Sequence, residues 1–293
     1  MLASVLPFIY QLPSDSVNRI TMLIQRSITL IMLMVTCCLL LLTRVASFSA
    51  DPVPSVVRRR EPLGRVTSLD RSKLDRSKDT LFYQQPKLVT HTDAAFIEEL
   101  KRLYSEHLPS SNKLILVDIM ASHISHLPEN VMTRLERLDV HGMNDEELER
   151  NAARKATSGN IYLRDLNVNP SFLGLCDDQE GVYDAILCCV GVQYLEEAEA
   201  VFADAARLLK PGTGKIIISF TNRFFYEKAL QGWINRGMKE RGRLVSDYLR
   251  AAGGYQDIQI VGDGTSVWNQ LASVGGFGSD PFVAVIATRL MDE

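Results

Sequence analysis

The chain has 293 residues, of which 46% are apolar and 23% are charged, with 18 glycines and 11 prolines. This composition excludes collagen-like, low-complexity and disulfide-scaffold proteins, and it fits one globular domain with additional sequence. The net charge is −3, but residues 80–293 carry 21 basic and 29 acidic side chains, a net of −8. An acidic body lacks the clustered Lys and Arg that bind a phosphate backbone, so we expect no nucleic-acid partner.

Residues 1–47 are predicted to form a signal-peptide-like leader. Residues 28–42 are an apolar run of 15 residues, which is short for the ~20 residues that span a bilayer. Arg26 precedes this run, and the small residues Val45 and Ser47 fit a cleavage site after it. After processing we expect no stable membrane contact; the alternative is an uncleaved anchor formed by the same apolar run.

Residues 48–82 are predicted to be a disordered transit or linker segment. They contain three consecutive arginines at 58–60 and several serines but no hydrophobic periodicity, so they bury too little apolar surface to fold. A signal core followed by an Arg- and Ser-rich stretch resembles the two-part plastid presequences of algae with secondary plastids. This resemblance implies a plastid location. Membrane anchoring and the secretory pathway are the alternatives.

Residues 83–293 are predicted to form one domain in which strands and helices alternate. Apolar runs predict strands at 113–119, 137–140, 160–164, 183–189, 215–220, 256–261 and 283–288. Helical periodicity predicts helices at 94–107, 145–155, 196–210, 224–236 and 244–252. The alternation indicates an α/β, doubly wound, Rossmann-like fold with a mostly parallel seven-stranded sheet.

Chemistry in such a fold is expected beyond the carboxyl ends of the strands, at the switch in strand order. Small or polar residues follow five consecutive predicted strands, at Asp118 to His123, Gly142 to Asn144, Asp165 to Asn167, Val190 to Tyr194 and Thr221 to Arg223. Such an arrangement is what a cleft for a mononucleoside needs.

Four segments carry a resemblance to a known family. They are Asp165-Leu166-Asn167, Tyr183 to Cys188, Gln193-Tyr194-Leu195 and Arg207 to Gly212. Together they resemble the class I S-adenosylmethionine-dependent methyltransferases, most closely the type 11 subgroup that acts on small molecules. The resemblance covers about residues 83–288. It implies an antiparallel last strand, S-adenosylmethionine as the cofactor and a small-molecule methyl acceptor.

The resemblance also implies where the cofactor binds, at Asp118, Met120, Ser122, Gly142, Asn144, Asp165, Leu166 and Val190. The family's glycine-rich turn after the first strand reads Met120-Ala121-Ser122 here, and Asn144 stands where the family has a ribose-binding carboxylate. Because hydrogen bonds to a carboxylate are stronger, Asn144→Asp is expected to leave cofactor binding equal or tighter. The candidates on the acceptor side are Tyr194, Gln193 and His123.

Other interpretations compete with this one. The missing glycines and Asn144 favour, as the alternative, a methyltransferase-like module that binds or assembles without catalysis. A nicotinamide-dependent enzyme is disfavoured, since pyrophosphate binding needs a glycine-rich turn at a helix N-terminus. Tyr83 and Lys87 have the spacing of the short-chain dehydrogenase pair, but the proline between them breaks the helix that this spacing requires. His123 and His126 have metal-ligand spacing without further ligands nearby, so no metal site is predicted.

Overall fold

The computed structural model describes residues 67–262 and 279–292, apart from the side chain of Asp177. The predicted leader at 1–47, with its apolar run, lies outside the described residues, and so do residues 48–66 of the predicted linker. The signal peptide, the anchor and the plastid location therefore remain predictions. Within the two described ranges, no helix is both long enough and apolar enough to cross a membrane.

Strands and helices alternate along the described chain. The strands are β1 (Leu114–Asp118), β2 (Leu135–Gly142), β3 (Ile161–Leu163), β4 (Ala185–Cys189), β5 (Lys215–Phe220), β6 (Tyr255–Val261) and β7 (Val283–Arg289). The α-helices are α1 (Asp79–Phe82), α2 (Ala94–His107), α3 (Glu129–Met132), α4 (Asp145–Glu149), α5 (Ala152–Thr157), α6 (Ala198–Leu208), α7 (Gln231–Ile234) and α8 (Met238–Ala252). Short 3-10 turns lie at Asp177–Gln179 and Val192–Tyr194.

The strands of the described residues form one seven-stranded sheet in the order β3-β2-β1-β4-β5-β7-β6. Strands β1 to β5 are parallel, and β7 runs antiparallel to both β5 and β6. This order confirms the predicted Rossmann-like fold with its antiparallel last strand. The strand order switches between β1 and β4, so the position where open α/β sheets bind their ligands lies beyond these two strands.

Both faces of the sheet are buried, which explains why its strands are apolar runs rather than alternating ones. In β4, Ala185 and Leu187 belong to the core that includes the apolar face of α2. Ile186 and Cys188 belong to the opposite core, against α6 and α8. The sheet is therefore covered on both sides, and the ends of its strands are left to form a site.

The helix predicted over 145–155 is instead two short helices, α4 and α5. Asn151 is fully buried between them. Its Oδ1 accepts from the Arg154 amide at 3.1 Å, which caps α5, and its Nδ2 donates to Ser125 Oγ at 2.8 Å. A capping asparagine has an extended backbone, so the first helix ends before it.

The helix predicted over 224–236 is reduced to α7. Upstream of α7 only one turn forms, in which the amides of Lys228 and Ala229 donate to Phe225 O at 3.0 Å. Two other backbone amides bond to the loop after β4. Phe225 N–H donates to Tyr194 Oη at 2.9 Å, and Leu230 N–H donates to Gln193 O at 3.1 Å. The periodicity of this segment thus reflects packing against that loop.

Residues 67–82, assigned by their composition to a disordered linker, are packed onto the domain. Lys73 Nζ lies 2.6 Å from Asp79 Oδ2, and both residues are 7% exposed. Asp79 also accepts from Asn167 Nδ2 at 2.9 Å and lies 3.2 Å from Lys228 Nζ. Paired charges hold much of this segment, which is why hydrophobic periodicity did not reveal it. The packed domain extends N-terminal to the predicted boundary at 83.

Candidate functional site

A cavity of about 250 Å³ lies at the carboxyl ends of β1 to β5. This is several times the ~30 Å³ that one water molecule takes up in the liquid, so the cavity admits a small molecule. All eight predicted cofactor residues line it, namely Asp118, Met120, Ser122, Gly142, Asn144, Asp165, Leu166 and Val190. On the acceptor side Gln193 and Tyr194 line it, whereas His123 does not.

Asp118, the last residue of β1, brings a buried carboxyl group to the cavity. It is 3% exposed, and no basic side chain of the described residues pairs with it. Burial raises the pKa of this carboxyl group to about 7, and a hydrogen bond from Ser125 opposes the rise only in part. A cation bound in the cavity would stabilise the ionised form of Asp118.

The turn after β1 adopts a glycine-like backbone without a glycine. Met120 has φ of 55°, in the left-handed region, which costs an ordinary side chain roughly 1–2 kcal/mol. Its N–H donates to His141 Nδ1 at 3.2 Å, and the Ala121 N–H donates to His141 O at 2.8 Å. The turn is therefore fixed to the end of β2 in the shape that glycine would provide.

His141 connects three strand ends. Because Nδ1 accepts from Met120, the neutral ring carries its proton on Nε2, which donates to Arg164 O at 3.1 Å. Burial lowers the pKa of His141 to about 4, so the imidazole is neutral at physiological pH. It positions the loops after β1 and β3 against β2.

The loop after β4 is strained next to the same turn. Val190 is β-branched and has φ of 48°, a rare combination. Its N–H donates to Ser219 O at 2.8 Å, and its O accepts from Gln193 Nε2 at 2.7 Å. A Cβ added to Gly191 would lie 2.9 Å from Met120 Cβ. Met120 and Val190, both with a left-handed backbone, thus lie near each other in the cavity wall. Such strained residues occur mainly at functional sites.

Asn144 lines the cavity, but most of its amide is used within the protein. Oδ1 accepts from Glu147 N–H at 3.0 Å and caps α4. Nδ2 donates to Tyr83 O at 2.9 Å and to Gln84 O at 3.1 Å. Only the second lone pair of Oδ1 is left for a ligand. Asn144 therefore attaches the segment around Tyr83 to the domain as well as facing the cavity.

Glu147 is a cavity residue that the sequence did not single out. Its carboxylate is 6% exposed and accepts from the Lys87 amide at 2.6 Å and from Ser122 Oγ at 2.7 Å. The Ser122 hydroxyl in turn lies 3.1 Å from His123 Nδ1. Glu147 follows Asn144 at a capping-box spacing, a sequence context typical of a helix cap rather than of a site residue.

Asp165 keeps one carboxylate oxygen for a ligand. Oδ1 accepts from Asn167 N–H at 2.9 Å, which closes the turn after β3. Oδ2 bonds to none of the residues that the structure describes. Leu166 beside it is 4% exposed. Oδ2 can accept a hydrogen bond from the edge of a purine ring, and the Leu166 side chain can pack on its face.

The acceptor-side candidates differ in what they can do. Tyr194 Oη accepts from Phe225 N–H at 2.9 Å. Burial raises the pKa of this phenol, so Tyr194 stays protonated at neutral pH and cannot accept a proton as a phenolate. Gln193 is 1% exposed, and its Oε1 is buried without a partner among the described residues. His123 contacts Ser122 but does not line the cavity, whereas His91 and His126 do.

The described residues contain no group of three or more His, Cys, Asp or Glu side chains placed to hold a metal ion. His126 is neutral, because burial lowers its pKa to about 4. Cys189, which also lines the cavity, is inert, because burial raises the pKa of its thiol to about 12.

Comparison with known proteins adds a fold-level likeness. No family model matches the chain, and no curated protein matches it. One similar solved structure is the [4+2]-cyclase SpnF, with 13% identity and a TM-score of 0.44 over 67% of this chain and 82% of that chain. A second is geranyl diphosphate C-methyltransferase from Streptomyces coelicolor A3(2), with 14% identity and a TM-score of 0.42 over 66% of this chain and 77% of that chain. A third is an S-adenosylmethionine-dependent methyltransferase from Mesorhizobium loti, with 14% identity and a TM-score of 0.42 over 64% of this chain and 96% of that chain. At these values the fold assignment rests on the strand order itself. A fold does not by itself determine a reaction, so the reaction has to be argued from the site.

Proposed function

We propose that the chain binds S-adenosylmethionine in this cavity and transfers its methyl group to a small molecule. The observation that carries the proposal is the convergence of the eight predicted cofactor residues on one cavity. That cavity lies at the switch point of a sheet with the order 3-2-1-4-5-7-6. Ligands of open α/β sheets bind at this position.

The residues present fit this cofactor at its two polar ends. Asp118 is a buried carboxyl group without a cation among the described residues, and the ammonium of the methionine moiety would supply one. Asp165 Oδ2 would accept from the adenine amine, with Leu166 against the ring. Ribose would meet Gly142 and the remaining lone pair of Asn144 Oδ1. This last part of the fit is the weakest, because a neutral oxygen replaces a carboxylate.

When bound, the cofactor supplies an electrophilic methyl group on a sulfonium sulfur. The chain then has to hold an acceptor in line with that methyl group and exclude water. Residues 79–92 contribute to both tasks, because Asp79, Tyr83, Lys87, His91 and Thr92 line the cavity. The phenol of Tyr194 is held in place by its hydrogen bond from Phe225 N–H. It is not a base at neutral pH, because its raised pKa keeps it protonated.

Calorimetric titration of the full chain with S-adenosylhomocysteine tests the proposal. We expect saturable binding at about pH 8. Asp118→Asn should weaken it roughly ten- to a hundredfold, the effect of losing one buried charged partner at about 1–3 kcal/mol. Asp292→Asn, at a side chain that is 63% exposed, is the matched control and should leave binding unchanged.

A folded chain that takes up no S-adenosylhomocysteine at millimolar concentration would refute the proposal. The alternative is then a methyltransferase-like module that binds or assembles without catalysis. The hydrogen bonds of Asn144 favour that alternative. Oδ1 accepts from Glu147 N–H, and Nδ2 donates to Tyr83 O and Gln84 O, so one lone pair of Oδ1 is all that remains for a ribose hydroxyl.

A further inference from the structure

The part of the cavity formed by residues 79–92 has an aromatic wall. Phe82 contacts both Tyr83 and Phe225 edge-on, with ring centroids 5.0 and 5.1 Å apart. Tyr194 stacks on Phe225 with centroids 6.2 Å apart. Tyr83, Phe225 and Tyr194 line the cavity. The wall offers flat apolar contact area to an organic ligand.

Lys87 places its ammonium group on this wall. Nζ lies 4.3 Å from the ring centroid of Phe82, 5.6 Å from that of Tyr83 and 5.7 Å from that of Phe225. It donates one hydrogen bond, to Phe82 O at 3.0 Å. Two of its three N–H groups therefore remain for another partner.

No carboxylate of the described residues neutralises Lys87. Two other cations near the cavity are paired, Lys228 with Asp75 at 2.9 Å and Arg223 with Asp280 at 2.5 Å. Arg164, which also lines the cavity, instead donates to the carbonyl oxygens of Ser171 and Leu173. Glu147 contacts Lys87, but its carboxylate accepts from the backbone amide of Lys87 rather than from Nζ. Lys87 is thus a positive charge that lines the cavity and lacks a counter-ion in the described structure.

Two buried polar atoms that lack partners among the described residues belong to residues that line the same cavity. They are Thr92 Oγ1, in a residue 4% exposed, and Gln193 Oε1, in a residue 1% exposed. A buried polar group without a partner is costly, so a ligand that satisfies both would gain affinity. The Thr92 hydroxyl can donate to an anionic oxygen, and Gln193 Oε1 can accept from a ligand O–H or N–H.

We propose that the methyl acceptor is a small anion with a flat apolar body, a carboxylate or phenolate whose negative oxygen pairs with Lys87. This inference rests on the proposed function and names the substrate class of the same site. A cationic acceptor is disfavoured because the ring faces already carry the Lys87 ammonium, and a second cation would meet like charge there. An anion on Lys87 instead leaves the cation–π contacts in place.

The proposal also accounts for the lack of a base at Tyr194. An acceptor oxygen that is already anionic attacks the methyl carbon without losing a proton. The O–CH3 bond forms as the C–S bond breaks, and the electron pair of that bond stays on sulfur. The role of Lys87 is to keep the acceptor ionised and to position it, at the cost of some nucleophilicity.

Three probes of similar shape and different charge test the proposal on the full chain: benzoate, benzamide and benzylamine. Their dissociation constants are measured by ligand-observed NMR with and without S-adenosylhomocysteine. We expect benzoate to bind at least about tenfold more tightly than benzamide, about 1.4 kcal/mol, and benzylamine to bind most weakly. Added salt should weaken benzoate binding.

Variants at Lys87 separate charge from packing. Lys87→Met keeps the apolar stem and should abolish the preference for benzoate, whereas Lys87→Arg should retain it. Lys113→Met, at a side chain that is 82% exposed, is the control and should change nothing. The salt series on the unaltered chain gives an answer even where a variant fails to fold.

Tighter binding of benzylamine than of benzoate would overturn the proposal and make the aromatic wall a cation site. Benzoate binding unaffected by Lys87→Met, or no benzoate binding at millimolar concentration, would also overturn it. Failure of the proposed function is a separate result. In that case S-adenosylhomocysteine does not bind, while the charge order of the three probes is still measured in its absence.

Discussion

Asn144 Nδ2 lies 2.9 Å from the carbonyl oxygen of Tyr83 and donates a hydrogen bond to it. The contact joins the end of β2 to a segment some 60 residues upstream. It makes Asn144 a structural donor at the position where the family resemblance implies a ribose acceptor. The consequences of changing Asn144 follow from this bond.

Asn144→Asp is expected to destabilise the fold. A carboxylate keeps the cap on α4, but it cannot donate to Tyr83 O and Gln84 O, and it would face both oxygens. Losing these bonds should lower the free energy of unfolding by about 1–3 kcal/mol. This replaces the sequence-based expectation of equal or tighter cofactor binding by one of weaker binding. Denaturant unfolding and calorimetry measure the two effects, and a stable variant with tighter binding would contradict this account.

Asp118 should make both stability and cofactor binding depend on pH. Its folded pKa is raised to about 7 by burial, from an ordinary value of 3.8. Between these values the folded chain holds a proton that the unfolded chain has released, so stability falls as pH rises from about 4 to about 7. Asp118→Asn should remove this slope, which is up to ~1.4 kcal/mol per pH unit. Identical pH profiles of unfolding for the two proteins would argue against a raised pKa.

The same carboxyl group should link binding to proton release. Below about pH 7, a ligand ammonium that pairs with Asp118 displaces its proton, so affinity for S-adenosylhomocysteine should rise with pH and level off above it. Titrations in buffers of different ionisation enthalpy count the protons released. No proton release near pH 6 would place the ligand ammonium away from Asp118.

Met120 offers a test of the left-handed turn by a matched pair of substitutions. Met120→Ala and Met120→Gly both remove the side chain, and they differ only by one Cβ. At φ of 55° the glycine variant should be the more stable by about 1 kcal/mol. At an ordinary position the order is reversed, because glycine loses more entropy on folding. Thermal unfolding of the two variants decides between these orders.

The sequence predicts the sheet better than it predicts the site. The strand Lys215–Phe220 and the helix Ala94–His107 have the bounds that the residues indicated, since a long apolar run and a clear helical face leave few alternatives. The prediction of one helix over 145–155 was wrong because Asn151 is a buried N-cap that starts a second helix. A single buried polar contact is not visible in hydrophobic periodicity. Glu147 and Lys87 reach the cavity through contacts with distant segments, which local patterns do not encode.

Residues 67–82 show the same limit for domain boundaries. Lys73 and Asp79 look like a solvated linker in sequence, yet they form a buried ion pair. Removal of the whole predicted transit segment, by cleavage near residue 80, would remove this pair from the packed domain. We therefore expect a mature N-terminus between residues 48 and 66. N-terminal sequencing of the native protein checks this: a start near 80 would contradict the structural role of this segment, and one upstream of 28 would favour the anchor.

We propose that the cavity beyond β1 and β4 binds S-adenosylmethionine. A crystal structure of the full chain with S-adenosylhomocysteine measures this most directly. We expect the ligand in this cavity, with its ammonium within hydrogen-bond distance of Asp118 and its adenine amine on Asp165. A folded chain whose cavity stays without ligand at saturating concentration, or a ligand bound elsewhere, would contradict it.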